Sequence, residues 1–173
     1  MTFQFLLMLS IGAAELINDF LKMKIYLGAD HRGFKLKEEL KKVLVEKGYE
    51  IEDLGAFKYE QNDDYPDFAL AVAEQVAKNL ESRGVLICGS GTGMDTVANK
   101  VKGVRATLVS SAQIAQAARN DDDVNVISLP ADFLKPQEAE EIAEIFLKTP
   151  FETVERRERR LRKISEIEKK NFR

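Results

Sequence analysis

Apolar residues fall in two rhythms along this chain. Lys24 to Ala29 (KIYLGA) is a short apolar run closed by a glycine-containing turn, which predicts a strand. Phe34, Leu36, Leu40, Val43 and Leu44 then recur at helical spacing, and Gly48 stands where a C-cap glycine belongs. Tyr49 to Leu54 predicts a second strand, with Ile51 and Leu54 as its apolar positions. A polar loop, Glu60 to Asp64, leads into Tyr65-Pro66-Asp67, where Pro66 sets up Asp67 as the N-cap of an alanine-rich helix from about Phe68 to Leu80. Gly84 to Cys88 (GVLIC) is continuously apolar, the pattern of a parallel strand covered on both faces. The glycine loop Gly89 to Gly93 follows, and a helix begins near Met94. Further strands are predicted over Val104–Val109 and Val124–Leu129, and further helices over Ala112–Arg119, Gln137–Leu147 and, highly charged, about Thr153–Lys170. Strands alternating with helices imply an α/β fold, a Rossmann-like doubly wound sheet of five parallel strands.

Composition narrows this picture. A length of 173 residues fits one domain, and 45% hydrophobic with 32% charged residues is ordinary for a globular chain able to bury one core. The formal net charge of −3 supplies no field that would draw the protein onto nucleic acid. With one cysteine, Cys88, and one histidine, His31, neither an internal disulfide nor a Cys/His metal cluster is expected, which suits a reducing cytoplasm. Residues 1–22 are read as an N-terminal extension to a domain spanning 23–173. Their apolar stretch, Phe3 to Ala14, is too short to span a bilayer, and no Lys or Arg precedes it as a signal peptide requires. Met23, directly before the first strand, is placed as an initiator would be. No membrane association is expected.

In open α/β sheets ligands bind beyond the carboxyl ends of the strands. Two strand ends carry unusual residues: Asp30-His31-Arg32-Gly33, and Cys88-Gly89-Ser90-Gly91-Thr92-Gly93. Alternate glycines let backbone N–H groups turn inward, and a helix N-terminus adds partial positive charge, so the loop suits a phosphate or an oxyanion. The third glycine comes one residue too early for a dinucleotide fingerprint, and no lysine follows as a Walker loop requires. A small-anion site remains, beside the plainer reading of a tight strand-to-helix turn. Cys88 has two readings: an inert buried hydrophobe, or a thiolate favoured by the helix N-terminus, with Asp95 opposing. His31 can titrate near neutrality or donate to a phosphate. The C-terminal run Glu155 to Lys163 reads first as a solvated helix face laced with ion pairs, since no aromatics interleave with its arginines. One or two of those arginines acting as a phosphate clamp is the sharper alternative.

Taken in order and spacing, several segments resemble the ribose-5-phosphate isomerase B / galactose-6-phosphate isomerase family. They are Gly28 to Gly33, Asp64 to Asp67, Ile87 to Gly93, Ala98 to Val101, Gly103 to Ala106 and Asn125-Val126. The resemblance runs from Met23 to about Lys170. It implies an isomerase of phosphorylated sugars, ribose 5-phosphate of the pentose phosphate pathway first, with no cofactor. It further implies a homodimer or dimer of dimers with sites shared across the interface and a C-terminal helix reaching the partner. By the same resemblance Cys88 is the base of a cis-enediolate reaction, and Gly89, Ser90, Gly91, Thr92 and Gly93 cradle the enediolate. Asp30 and Tyr65 contact the sugar, while His31, Arg156 and Arg160 lie near the phosphate. This sequence departs from the family pattern where a ring-opening histidine and an asparagine are usual, carrying Asp121 and Asp122 instead. Asp132 replaces a phosphate-binding arginine, Pro130 a glycine and Asp95 a serine, and Val154-Glu155-Arg156-Arg157 stands for the usual Gly-Gly-Arg-His. Added carboxylates near a dianion imply weakened phosphate affinity or another sugar. Asp121 is expected either to replace the histidine as acid/base or to mark its loss. The alternatives are a subunit of a galactose-6-phosphate isomerase-like hetero-oligomer and an inactive sugar-phosphate-binding protein.

Overall fold

The computed structural model describes residues 23–171, so the expected extension at 1–22 lies outside them. The described chain forms strands β1 (Lys24–Ala29), β2 (Glu50–Asp53), β3 (Arg83–Cys88), β4 (Ala106–Leu108) and β5 (Val126–Pro130). Between and after them run helices α1 (Phe34–Glu46), α2 (Tyr65–Lys78), α3 (Thr92–Ala98), α4 (Ala112–Asp122), α5 (Pro136–Lys148) and α6 (Glu155–Asn171). The strands form one parallel sheet in the order β2-β1-β3-β5-β4.

Side chains alternate across a strand, and that period assigns each residue to a layer. Ile25, Leu27, Ala29, Val85, Ile87, Ile127 and Leu129 point to one face, where α1, α4 and α5 cover them with Leu36, Leu40, Ala115, Ile142 and Phe146. Tyr26, Leu86, Cys88 and Val126 point to the other, against Ala69, Val72 and Val76 of α2 and Met94 and Ala98 of α3. Cys88 therefore ends its strand facing the α2–α3 layer. The chain leaves β1 toward β2 on one side and returns to β3 on the other. The carboxyl ends of β1 and β3, paired in register through Ala29 and Ile87, thus flank the crevice where such sheets bind ligands.

Several boundaries differ from expectation. The second helix starts at Tyr65 with Asp64 as its N-cap residue, not with Asp67 capping a start at Phe68. Pro66 fits inside the first turn because its missing N–H would have had no intrahelical partner there, and Asp67 becomes a first-turn acid that favours the dipole. The third helix likewise begins two positions before Met94, at Thr92. β4 is shorter than the apolar run Val104–Val109. Asn125 Oδ1 accepts the Arg105 N–H at 2.8 Å, and the Asn99 side chain holds both backbone groups of Ala106 at 3.0 Å, so side chains replace ladder bonds at its start. Helix α4 runs past Arg119 to Asp122, where Arg119 pairs with Asp123 at 2.8 Å and Asp123 itself turns left-handed (φ 47°). Asp121 and Asp122 therefore sit in the last turn of a helix.

Candidate active site

The glycine loop is folded tightly around Cys88. The Cys88 side chain is only 4% exposed, and its Sγ accepts the Gly91 N–H at 3.2 Å. Gly91 has φ 77°, a conformation that only glycine adopts cheaply, and a Cβ there would also lie 2.3 Å from Leu108 Cδ1. Ser128 Oγ donates to Gly91 O at 2.6 Å and fixes the turn from β5. The Tyr65 ring packs on Gly93, so the Tyr-Pro start of α2 meets the loop directly. Ser90 and Thr92 hold each other by their hydroxyls at 2.8 Å on the exposed side.

Electrostatics at Cys88 differ from expectation. Burial pushes its thiol above the ordinary range, and this outweighs the backbone N–H groups of Met94, Gly91 and Gly93 that favour the thiolate. The acidic side chain that adds to the upward shift is Asp30, rather than Asp95. Asp95 is instead turned along α3, where its carboxylate accepts from Asn99 Nδ2 at 3.0 Å and burial raises its own pKa.

The end of β1 supplies the opposite wall. Asp30 is 5% exposed, and its Oδ1 accepts the N–H groups of Arg32 (3.0 Å) and Gly33 (2.9 Å), which leaves the second oxygen for a ligand. Burial raises its pKa despite those bonds. A Cβ at Gly89 would lie 2.3 Å from the Arg32 guanidinium carbon, so that side chain lies directly across the loop. Arg32 pairs there with Asp132, whose N–H donates to Gly89 O at 3.0 Å. His31 is fixed by Asp63, a residue the sequence did not single out. Asp63 Oδ1 lies 2.6 Å from His31 Nδ1 and accepts the His31 backbone N–H at 3.0 Å. The two residues are 32 apart in sequence, and Asp63 sits in a polar loop without periodicity, so no local signal marks the pair.

The structure thus brings Asp30, His31, Tyr65, Cys88 and the Gly89–Gly93 loop to the carboxyl ends of β1 and β3. It does not bring Asp121, Asp122, Arg156 or Arg160 to them within one chain. Helix α4 leaves the carboxyl end of β4 and delivers Asp121 and Asp122 to the amino end of β5, the opposite end of the strands. There Asp121 pairs with Arg157, which also pairs with Glu152. Arg157 is the one residue of α6 buried in its own chain, while Arg156 and Arg160 are exposed. Among the described residues no group of side chains is arranged to hold a metal ion, and no helix is long and apolar enough to cross a membrane.

The glycine turn and the buried Cys88 stand at the switch point of a parallel sheet, the place where proteins of the α/β class bind small molecules. The model of the Ribose/Galactose Isomerase family matches residues 25–164, and the chain belongs to that family of sugar isomerases. It is 43% identical over 150 residues to a probable ribose-5-phosphate isomerase B of Mycoplasma genitalium, covering 86% of this chain and 98% of that one. It is 37% identical to the ribose-5-phosphate isomerase B of Mycobacterium tuberculosis H37Rv, covering 85% and 91%. Among solved structures, the M. genitalium ribose-5-phosphate isomerase B with bound ribulose 5-phosphate superposes with a TM-score of 0.83, over 86% of this chain and 98% of that one. The Clostridium thermocellum ribose-5-phosphate isomerase B, 41% identical, gives 0.81 over 86% and 99%.

Proposed function

We propose that this isomerase interconverts ribose 5-phosphate and ribulose 5-phosphate through a cis-enediolate, with Cys88 as the base. The observation that carries this reading is the buried Cys88 Sγ, held by the Gly91 N–H at 3.2 Å at the end of β3 beside the β1 crevice. A base that moves a proton between C2 and C1 must sit over both carbons with little water around it. A sulfur at a strand end, backed by backbone amides and screened from solvent, meets that need. As the proton leaves C2, negative charge grows on the carbonyl oxygen, and the N–H groups of the Ser90–Gly93 turn that are not turned to Cys88 Sγ, those of Ser90 and Thr92, are the donors for it. Asp30 takes sugar hydroxyls with its free oxygen, and Tyr65 closes the side of the loop.

The thiol is displaced upward in the free protein, so the thiolate is the minor form near neutrality. The rate is accordingly expected to climb with pH up to the alkaline range. Arg156 and Arg160 grip the phosphate from a second copy of the chain, in a homodimer whose interface includes α6. A protein of this chemistry works in the cytoplasm, where sugar phosphates and reduced thiols are kept. The test is incubation of the purified chain with ribose 5-phosphate in D₂O, followed by NMR. Ribulose 5-phosphate is the expected product, with deuterium at C1 only to the extent that the Cys88 proton exchanges with solvent before it is delivered. A folded chain that forms no ketose overturns the reading.

A further inference from the structure

One cation at the mouth of the crevice has no place in the reaction as described. Arg32 follows Asp30 and His31 at the end of β1, in a turn that is tightly fixed. Asp30 Oδ1 accepts the Arg32 N–H at 3.0 Å and the Gly33 N–H at 2.9 Å. Gly33 packs on β3 so closely that a Cβ there would lie 2.0 Å from Ile87 O. From this turn the Arg32 side chain runs across the glycine loop. A Cβ on Gly89 would meet Nε and the guanidinium carbon at 2.3 Å and Nη1 at 2.7 Å, so the group rests on Gly89, the residue next to Cys88.

Asp132 holds the guanidinium from the β5 side, through Nη2. The loop that carries Asp132 is tied to the glycine loop by its own backbone. The Asp132 N–H donates to Gly89 O at 3.0 Å, and the Ala131 N–H donates to Cys88 O at 2.9 Å. Among the described residues Asp132 is the one side chain bonded to Arg32, which leaves Nε and Nη1 as donors without a partner there. The Arg32 side chain is 55% exposed, and an ion pair as exposed as this one is weak. A phosphate dianion carries more charge than a carboxylate and three acceptor oxygens, and the arginine fork takes it by parallel N–H bonds. The guanidinium is thus aimed before a ligand arrives, which lowers the cost of binding one.

We propose that Arg32 binds the phosphate of the substrate, as the own-chain half of a clamp whose other half is Arg156 and Arg160 of a second copy; the assignment rests on the isomerase reading above. Asp132 aims the guanidinium in the free protein and competes with the phosphate for it. The crevice thereby selects a sugar that carries a phosphate over the same sugar without one.

The test reads KM and kcat for ribose 5-phosphate, and the Kd of inorganic phosphate by calorimetry. The proteins are the wild type, Arg32→Gln, Arg32→Lys, Asp132→Asn and the double variant Arg32→Gln/Asp132→Asn. Arg32→Gln is expected to raise KM and the phosphate Kd about 10- to 100-fold, the loss of one charge-assisted contact, with kcat little changed. Arg32→Lys is expected to recover part of that loss, since it keeps the charge and lacks the fork. The double variant separates binding from neutralisation, because Asp132 is gone as well. Its KM is expected to stay about tenfold or more above that of Asp132→Asn. Equal values in those two would mean that Arg32 only masks Asp132, and would overturn the proposal. A raised KM with an unchanged phosphate Kd would put Arg32 on the sugar and overturn it too. So would a fall in kcat and melting temperature with KM and Kd unmoved, which would make Arg32 a brace for the loop. Arg32-dependent phosphate binding without turnover would contradict the isomerase reading and leave the phosphate site standing. A wild type with neither turnover nor phosphate binding would overturn both.

Discussion

Arg32 and Asp132 show how single residues can reset a site. The Arg32 guanidinium lies across Gly89 and is held there by Asp132, so a carboxylate stands at the mouth of a crevice proposed to take a dianion. Removing that charge while leaving Arg32 is expected to favour the substrate. At an effective surface dielectric a unit charge 4 Å away is worth about 4 kcal/mol, and exposure and salt reduce this severalfold. Asp132→Asn should therefore lower KM for ribose 5-phosphate about 3- to 10-fold, less at high ionic strength, in steady-state assays at two salt concentrations. Unchanged KM at low salt would mean that Asp132 does not face the phosphate. Residue identities were only partly readable from sequence. Cys88 and the glycines stood out because they close a strand. The Arg32–Asp132 contact spans 100 positions and Asp63 lies in an unpatterned loop, so tertiary structure alone reveals them. The sequence placed Cys88 at a helix N-terminus but could not show that burial outweighs the helix.

At the scale of elements, the joint between α1 and β2 sets the β1 wall of the site. Lys37 is fully buried, and its ammonium contacts both Asp53 oxygens, at 2.6 and 2.7 Å, while Lys41 reaches the same carboxylate at 2.6 Å. Burial pushes the Asp53 carboxyl up, but the bonds from Lys37, Lys41 and the Gly55 N–H overcome this and leave it below its ordinary range. A depressed carboxyl contributes stability above its unfolded pKa and loses it as pH falls through the folded one. Asp53→Asn removes the nearer of two counter-charges from the buried Lys37 and leaves Glu38 Oε1 at 3.0 Å, so a loss of about 1.5–3 kcal/mol is expected in urea unfolding at pH 7. The gap from wild type should shrink as both are acidified through the carboxyl range. A gap that stays constant with pH would contradict the assignment. The element pattern itself was legible, because β1 and β3 are continuous apolar runs and the α1 stripe keeps helical spacing. The start of α2 was not, since Asp64 and Asp67 are equally good caps by type and only the backbone chooses between them.

Across the whole molecule, α6 is the part that one chain does not explain. Its range Glu155–Asn171 buries only Arg157, while Ile164 and Ile167 are 40% and 57% exposed. Helices in proteins are held mainly by the packing of an apolar face, so a second copy is expected to cover this one. Covering the part of each isoleucine that is still exposed contributes about 1 kcal/mol, roughly half the value for full burial. Sedimentation should show a dimer or larger assembly, and Ile164→Glu with Ile167→Glu should shift it toward monomer with loss of turnover. A monomeric wild type that turns over fully would contradict the shared site. The most direct test of the account as a whole is kcat for ribose 5-phosphate in Cys88→Ala, in a protein whose melting and assembly match the wild type. Loss of the base is expected to lower kcat about 10²- to 10⁴-fold. A kcat within a few-fold of the wild type would contradict the account, and the proton would have to be carried by another group.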